Sequence, residues 1–357
     1  MKSRVYFVRT AEADAAAAIQ DKLRRLIKAG GVFDVLEPEQ RAVIKIHFGE
    51  EGNNGYVRPE LVRQITAEIR RRGAYCCVSD SNTLYRGRRT RSDEHVRLAN
   101  EHGFSEETLL APVVIPEDAR PGNDVTVPVA GKFIQKANVL RLYTEADILV
   151  GVSHFKGHGL TGFGGTLKNI GMGCASREGK LAQHSEVAPF VFVEQCVGCG
   201  TCIPVCPVDA ISMCEKTARI DSKKCIGCAT CIAVCPHFAI QVDWSAGGKT
   251  IQQKMMEYVL AVLQDKKGRG IFFNFAVKIT KECDCLAKDD PRVAPDVGIF
   301  VSDDPVSVDA AAYEQVTAAC GKDIFRQLHP WCDGAKQLEY AEALGLGSRE
   351  YELVEVR

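Results

Sequence analysis

Two copies of one cysteine pattern, CVGCGTCIPVCP at 196–207 and CIGCATCIAVCP at 225–236, constrain this chain more than any other feature. Each reads C-x2-C-x2-C-x3-C-P. A cubane iron–sulfur cluster needs four thiolates converging on one small object; the x2 spacings curl the backbone so that three sulfurs face inward, and the fourth comes from the other repeat. By that crossed logic one [4Fe–4S] cluster takes Cys196, Cys199, Cys202 and Cys235, and a second takes Cys225, Cys228, Cys231 and Cys206. Gly198, Gly200 and Gly227 let the backbone approach the inorganic sulfides. Two structural zinc sites do not require four cysteines and a proline in each repeat. The intervening ISMCEKTARIDSKK (211–224) suits a strand or hairpin joining the two halves of the cysteine-rich segment.

Sixteen cysteines, eight of them in the two tightly spaced repeats, argue for metal ligation in a reducing compartment over disulfides. No apolar run reaches the ~18 residues that span a bilayer, and MKSRVYFVRT lacks the apolar core of a signal peptide, so a cytoplasmic chain without a membrane partner is expected. With 45 basic against 46 acidic residues there is no electrostatic case for nucleic acid. The basic clusters at Arg70–Arg72 and Arg86–Arg91 read as solvated surface, with an anionic ligand or redox partner as the alternative.

The rest of the chain alternates β-rich and helical patterns. Strands are expected at 5–8, 42–48, 74–80, 146–154, 270–277 and 297–304. Helices are expected at 11–28, 59–72, 92–102, 166–170, 250–265 and 308–319, with further helix towards Leu344. Residues 111–129 read as strands and loops. The fold class is α/β: a mostly parallel layered sheet with an inserted small α+β ferredoxin-like domain. The division is 1–190 and 244–357 for the two parts of the α/β domain, and 191–243 for the insertion.

In open parallel sheets, ligands bind beyond the carboxyl ends of the strands. Those positions here carry Lys45 and His47, Asp80 and Asn82, His154, Lys156 and His158, and Asp304. Taken singly, His47 reads as a buried imidazole, Asp80 as a turn residue and Lys156 as a solvated side chain; their coincidence at one sheet edge points to a site. The loop 153–174 adds Lys168 and Asn169 among seven glycines. Its backbone suits an anion, but GFGGTLKNIG (162–171) has neither Walker nor dinucleotide spacing. At 283–285, CDC places Cys283 and Cys285 on one face of an extended segment, as a metal-binding pair or a redox dithiol. Two ligands are too few for a stable site, so a metal there needs help from Cys174, a histidine or a cofactor.

KIHFGEEGN (45–53), SDSNTLYRGRR (79–89), SHFKGHGLTGFGGTLKNIGMGC (153–174), the cysteine repeats, KITKECDC (278–285), VGIFVSDDPVSVDAA (297–311) and LHP (328–330) together resemble the iron–sulfur centre proteins that carry domain of unknown function 362. The resemblance covers nearly the whole chain. It implies an α/β domain with an inserted ferredoxin and marks the CDC pair and the 154–169 loop as parts of a site, but it implies no reaction.

The expectation is therefore a redox protein. Two [4Fe–4S] clusters pass electrons to a substrate or cofactor held at the strand ends, with His47, His154, Lys156, His158, Lys168, Cys283 and Cys285 as catalytic candidates. Lys45, Asp80, Asn82, Asn169 and Asp304 are the ligand-binding candidates, and Cys283/Cys285 offer a place for an additional metal. A redox protein or a small molecule is the expected partner. Two other readings compete: an electron carrier that docks to partner enzymes, and a maturation factor that hands on metal through the CDC pair.

Overall fold

Alternation of apolar side chains along short strands sends successive residues to opposite faces, and here both faces are covered. The computed structural model describes residues 2–117, 122–184, 188–243 and 250–357. Eight strands share one sheet: β1 (Ser3–Arg9), β2 (Arg41–Lys45), β3 (Tyr75–Ser79), β4 (Val113–Val114), β5 (Ile148–His154), β6 (Gly270–Ala276), β7 (Gly298–Ser302) and β8 (Tyr351–Glu355). Their order is β8-β1-β7-β6-β5-β2-β3-β4. Every neighbouring pair is parallel except the two made by β7, with β1 and β6. The chain is thus a mixed α/β protein with a large, mostly parallel sheet.

On β5, Ile148, Val150 and Val152 pack with Leu23 and Leu26 of α1 (Ala16–Gly30) and Leu61 and Ile65 of α2 (Pro59–Arg71). On the other face, Leu149, Phe272 and Phe300 pack with Met255, Val259 and Val308. Each such side chain, buried from water, contributes roughly 1.5–3 kcal/mol before entropy is counted. The uninterrupted apolar run of β5 reflects burial on both sides, and all seven of its residues are buried.

The main sheet draws β1 to β5 from before the cysteine-rich segment and β6 to β8 from after it. Within that segment Ile211–Cys214 and Thr217–Ile220 form an antiparallel ribbon, and Phe190–Val191 pairs with Ile240–Gln241. Ile211, Ala218, Ile232, Ile240 and Val242 make a separate apolar cluster, joined by Leu84 and Leu181 from the surrounding domain. Residues 118–121 of the proline-rich stretch, and the seam at 244 where the second part of the α/β domain was expected to resume, lie outside the described residues.

The structure departs from the sequence expectations at three places. The first helix starts at Ala16, not residue 11, because the Asp14 carboxylate accepts the Ala11 N–H at 2.8 Å and closes a turn there. The C-terminal region is helical at Ile324–Leu328 and Ala335–Ala343, in line with the helix expected up to Leu344, but beyond it lies β8, an edge strand paired with β1 that no expectation covered. The third departure, a correction, matters for function. β7 runs against its neighbours, so Ser302 pairs with Phe272 and Asp304 lies at the opposite end of the sheet from His47 and His154. Asp304 instead caps the helix Pro305–Cys320, accepting from the Val306 and Ser307 N–H groups, and takes further bonds from Ser3 and Ser348.

Asp304→Ala should lower stability by about 1–2 kcal/mol through loss of the cap, read as a shifted denaturant midpoint. Metal content and ligand binding should stay at wild-type levels. A variant that loses either would return Asp304 to the site.

Candidate functional site

With β2, β3, β5 and β6 parallel, four strand exits converge at one sheet edge. They carry Lys45 to His47, Asp80 to Asn82, His154 to His158 and the turn 278–285. The helix Thr166–Gly171 then rises from the glycine loop over that edge. Its first N–H groups, on Thr166 and Leu167, donate to the buried Asp309 at 2.7 and 2.9 Å, which holds Lys168 and Asn169 in place. Burial pushes the Asp309 carboxyl up to about 6.

A cavity of about 470 Å³ opens there, with His47, Asp80, Arg89, His158, Lys168, Lys180, His184, Cys283 and Cys285 among its lining residues. Its remaining wall is largely apolar, including Leu160, Met172, Ile251, Met255 and Leu286. One donor atom each of His158, Cys283 and Cys285 lies within 4.8 Å of the other two. The Lys168 ammonium stands 3.6 Å from Cys283 Sγ, and the Cys285 N–H donates to the same sulfur at 3.4 Å. The hydrogen bond from the Cys285 thiol, with Lys168 and His158 beside it, outweighs burial and holds the Cys283 thiol well below its usual value. Cys285 is pushed up in return, first by that same bond and then by burial.

The imidazoles are driven the other way. Burial, then the Lys168 charge, lowers His158 to about 4. His184 falls to about 3, through burial first and then His158 and Lys168. His47 is held well below the usual range by burial and Arg89. The Gly49 N–H donates to His47 Nδ1 at 2.9 Å, so the ring proton sits on Nε2, which is buried without a partner among the described residues.

Several expected residues support the pocket from beneath. His154, Lys156, Lys45, Asn82 and Asn169 do not line it. His154 Nδ1 bonds Asp284 at 2.9 Å, while Nε2 faces the Val277 carbonyl at 3.0 Å. Lys156 pairs with Asp284 at 3.2 Å. Burial alone would raise Asp284, but His154 and Lys156 overcome it and hold the carboxyl well below the usual carboxylate range. Lys45 pairs with Asp80 at 2.8 Å and bonds Asn169 Oδ1 at 2.9 Å. Asn82 turns to Ser92 at 2.8 Å. Cys174 is fully buried in the main core and offers the CDC pair nothing.

Residue typing alone missed Asp284, Arg89, Lys180 and His184. Period-two alternation placed Cys283 and Cys285 together and already implied that Asp284 points the other way. Arg89 belonged to a basic run read as surface, yet it is 2% exposed and pairs with Glu50 at 3.1 Å and Asp80 at 3.4 Å. Gly157 is required for closeness: a Cβ there would lie 2.1 Å from the Lys281 carbonyl oxygen, so only glycine lets the CDC turn seat on the loop.

The eight repeat cysteines fall into two groups of four. Cys196, Cys199, Cys202 and Cys235 surround one small cavity, and Cys206, Cys225, Cys228 and Cys231 surround another. Amides of Ala218, Ala210 and Ala239 donate to Cys196, Cys206 and Cys235 at 3.4, 3.2 and 3.3 Å. Gly198 and Gly227, at matching places in the repeats, have φ of 70° and 75°, the left-handed region that favours glycine.

The family model described as domain of unknown function DUF362 matches residues 42–314. The chain belongs to that family. The matched stretch contains every pocket residue named above and both cysteine groups. No curated protein matches the chain. Among solved structures it is similar to the lactate racemase apoprotein of Thermoanaerobacterium thermosaccharolyticum, at 15% identity and TM-score 0.42, covering 78% of this chain and 51% of that one. A Thermotoga maritima protein aligns at 14% identity and TM-score 0.44, covering 86% and 59%. The chain spans about half to three-fifths of their lengths. No helix among the described residues is long and apolar enough to cross a membrane.

Asp284→Ala should cost about 3–5 kcal/mol, because it leaves the buried Lys156 uncompensated. The wild-type carboxyl is depressed, so its contribution is present at neutral pH and is lost only as pH falls below the usual carboxylate range. Denaturant unfolding at pH 7 and in acid checks both: the gap between the proteins should narrow in acid, and a gap independent of pH would remove the ion pair as its cause.

Proposed function

We propose that this chain is an iron–sulfur redox protein, a reductase that holds two [4Fe–4S] clusters and acts on a small molecule bound in the strand-end pocket. The grouping of eight thiols into two sets of four, each borrowing its fourth member from the other repeat, carries the reading. Cys196, Cys199, Cys202 and Cys235 would hold one cluster, and Cys225, Cys228, Cys231 and Cys206 the other. The residues fit that role: positive-φ glycines at Gly198 and Gly227 give both repeats the same backbone turn, and amides aimed at three of the sulfurs stabilise negative charge there. When bound, such clusters supply one-electron transfer, typically at low potential.

The pocket lies against the cysteine-rich segment. Leu84 belongs both to its wall and to the apolar cluster containing Cys202 and Cys231. Cys285 lines a neighbouring cleft together with Phe238, three residues beyond Cys235, and the Arg86 guanidinium sits 5.1 Å from the Phe238 ring centroid. Reduction adds negative charge to a bound molecule, and Lys168 and the His47 Nε2–H are placed to stabilise it. An electron carrier that only docks to partners has no use for a pocket lined by this many ionisable groups, which favours the reductase reading.

Anaerobically purified protein should contain about eight iron and eight sulfide per chain. Cys202→Ser should remove the cluster of the first set. Cys206→Ser should remove that of the second, although Cys206 lies in the first repeat. Electron paramagnetic resonance of the reduced protein distinguishes the two. Loss of the first-set signal in Cys206→Ser would overturn the crossed assignment, and protein reconstituted without iron would end the reading.

A further inference from the structure

The strand-end pocket holds a second set of metal-type donors, separate from the eight repeat cysteines. His158, Cys283 and Cys285 converge from two segments, with donor atoms within 4.8 Å of one another. Tetrahedral ligands at ~2.0–2.3 Å from a metal stand about 3.3–3.8 Å apart, so a shift of about 1 Å closes the set. The scaffold beneath is rigid. Asp284, between the two cysteines, is locked to His154 and Lys156, and its carbonyl accepts the Glu50 N–H at 3.0 Å.

We propose that His158, Cys283 and Cys285 hold one divalent transition-metal ion with an open position facing the pocket, and that this position takes the carboxylate of a small organic acid. Two sulfurs and one imidazole suit zinc, cobalt or ferrous iron, and three protein ligands are the number that catalytic sites of this kind use. Ligation through Nε2 places the ring proton of His158 on Nδ1 and gives up the long, 3.3 Å contact from the Leu160 amide.

Charge and shape select the ligand. Two thiolates balance a divalent ion, and Lys168 adds a positive charge. Asp80 is committed to Lys45 and Arg89, and Glu282 faces His329 at 4.0 Å. The His47 Nε2–H, buried without a partner among the described residues, is a second donor for a carboxylate oxygen. Lys180 is bonded to Ser81 and to the Asn82 and Ala175 carbonyls, and Leu84, Leu160, Met172, Ile251, Met255 and Leu286 give the rest of the wall a largely apolar character, so the acid carries an apolar body within a cavity of about 470 Å³. This inference rests on the pocket as the substrate site of the reading above, and not on the clusters.

The test uses the full chain, purified anaerobically with its iron and sulfide measured, then loaded with cobalt(II) and examined at the cobalt K-edge. One cobalt per chain is expected, with two sulfurs near 2.3 Å and nitrogen or oxygen near ~2.0 Å. His158→Gln and the double variant Cys283→Ser/Cys285→Ser should each lose that cobalt with iron and sulfide unchanged. Unaltered cobalt binding in both variants would overturn the site. Butyrate, followed by calorimetry on the cobalt-loaded protein, should bind at least tenfold more weakly to Lys168→Met; equal affinity would overturn the carboxylate assignment. Protein without iron that retains cobalt bound by two sulfurs would sink the cluster reading and leave this one standing.

Discussion

The buried carboxylate of Asp284 is the point on which the pocket depends. It is fully buried, and it survives as a charge only because His154 and Lys156 reach it from the exit of β5. Burying one charge costs far more than a single hydrogen bond returns, so the three groups form as a unit or not at all. Once formed, that unit fixes the rotation of the 283–285 turn. Cys283 and Cys285, flanking Asp284, then face the cavity, and the glycine loop lies against the turn with no Cβ at 157 to hold it off.

A second buried charge set, Lys45, Asp80, Arg89 and Glu50, supports the opposite wall. Here two cations meet two carboxylates, and the arrangement joins the ends of β2 and β3 to the 85–91 loop. Between these walls the imidazoles are neutral and Lys168 carries the positive charge nearest the thiols. Such polarity is expensive inside a protein. It is concentrated at one sheet edge, while the rest of the sheet is covered by aliphatic and aromatic packing, and such clusters of buried ionisable groups are typical of functional sites.

The proposed clusters and the proposed mononuclear metal make different demands on the backbone. The cysteine repeats are short loops whose sulfurs are gathered by local curvature, with left-handed glycines at equivalent places. The His158–Cys283–Cys285 set is gathered by long-range packing, between segments more than a hundred residues apart. A chain with both has sets of donors that local spacing gathers three at a time, with the fourth exchanged between the repeats, and one set that only long-range packing assembles.

That difference marks what was legible in advance. The sequence alone grouped Cys196, Cys199 and Cys202, and Cys225, Cys228 and Cys231, because x2 spacings are local geometry; the crossing of Cys206 and Cys235 was expected from the two-cluster pattern, and it is the fold that brings each beside the other repeat. It also indicated the strands buried on both faces, since short uninterrupted apolar runs rich in β-branched residues, such as 148–152, suit a buried strand, and it placed His47, His158, Lys168 and the CDC pair at one sheet edge. Strand direction lay beyond it: the apolar pattern of β7 reads the same whether it runs with or against its neighbours, and so Asp304 was assigned to the wrong end. Side-chain partnership lay beyond it as well. Whether His154 faces the pocket or Asp284, and whether Arg89 meets solvent or a buried carboxylate, depends on what the fold brings within about 3 Å, and only the tertiary structure decides that.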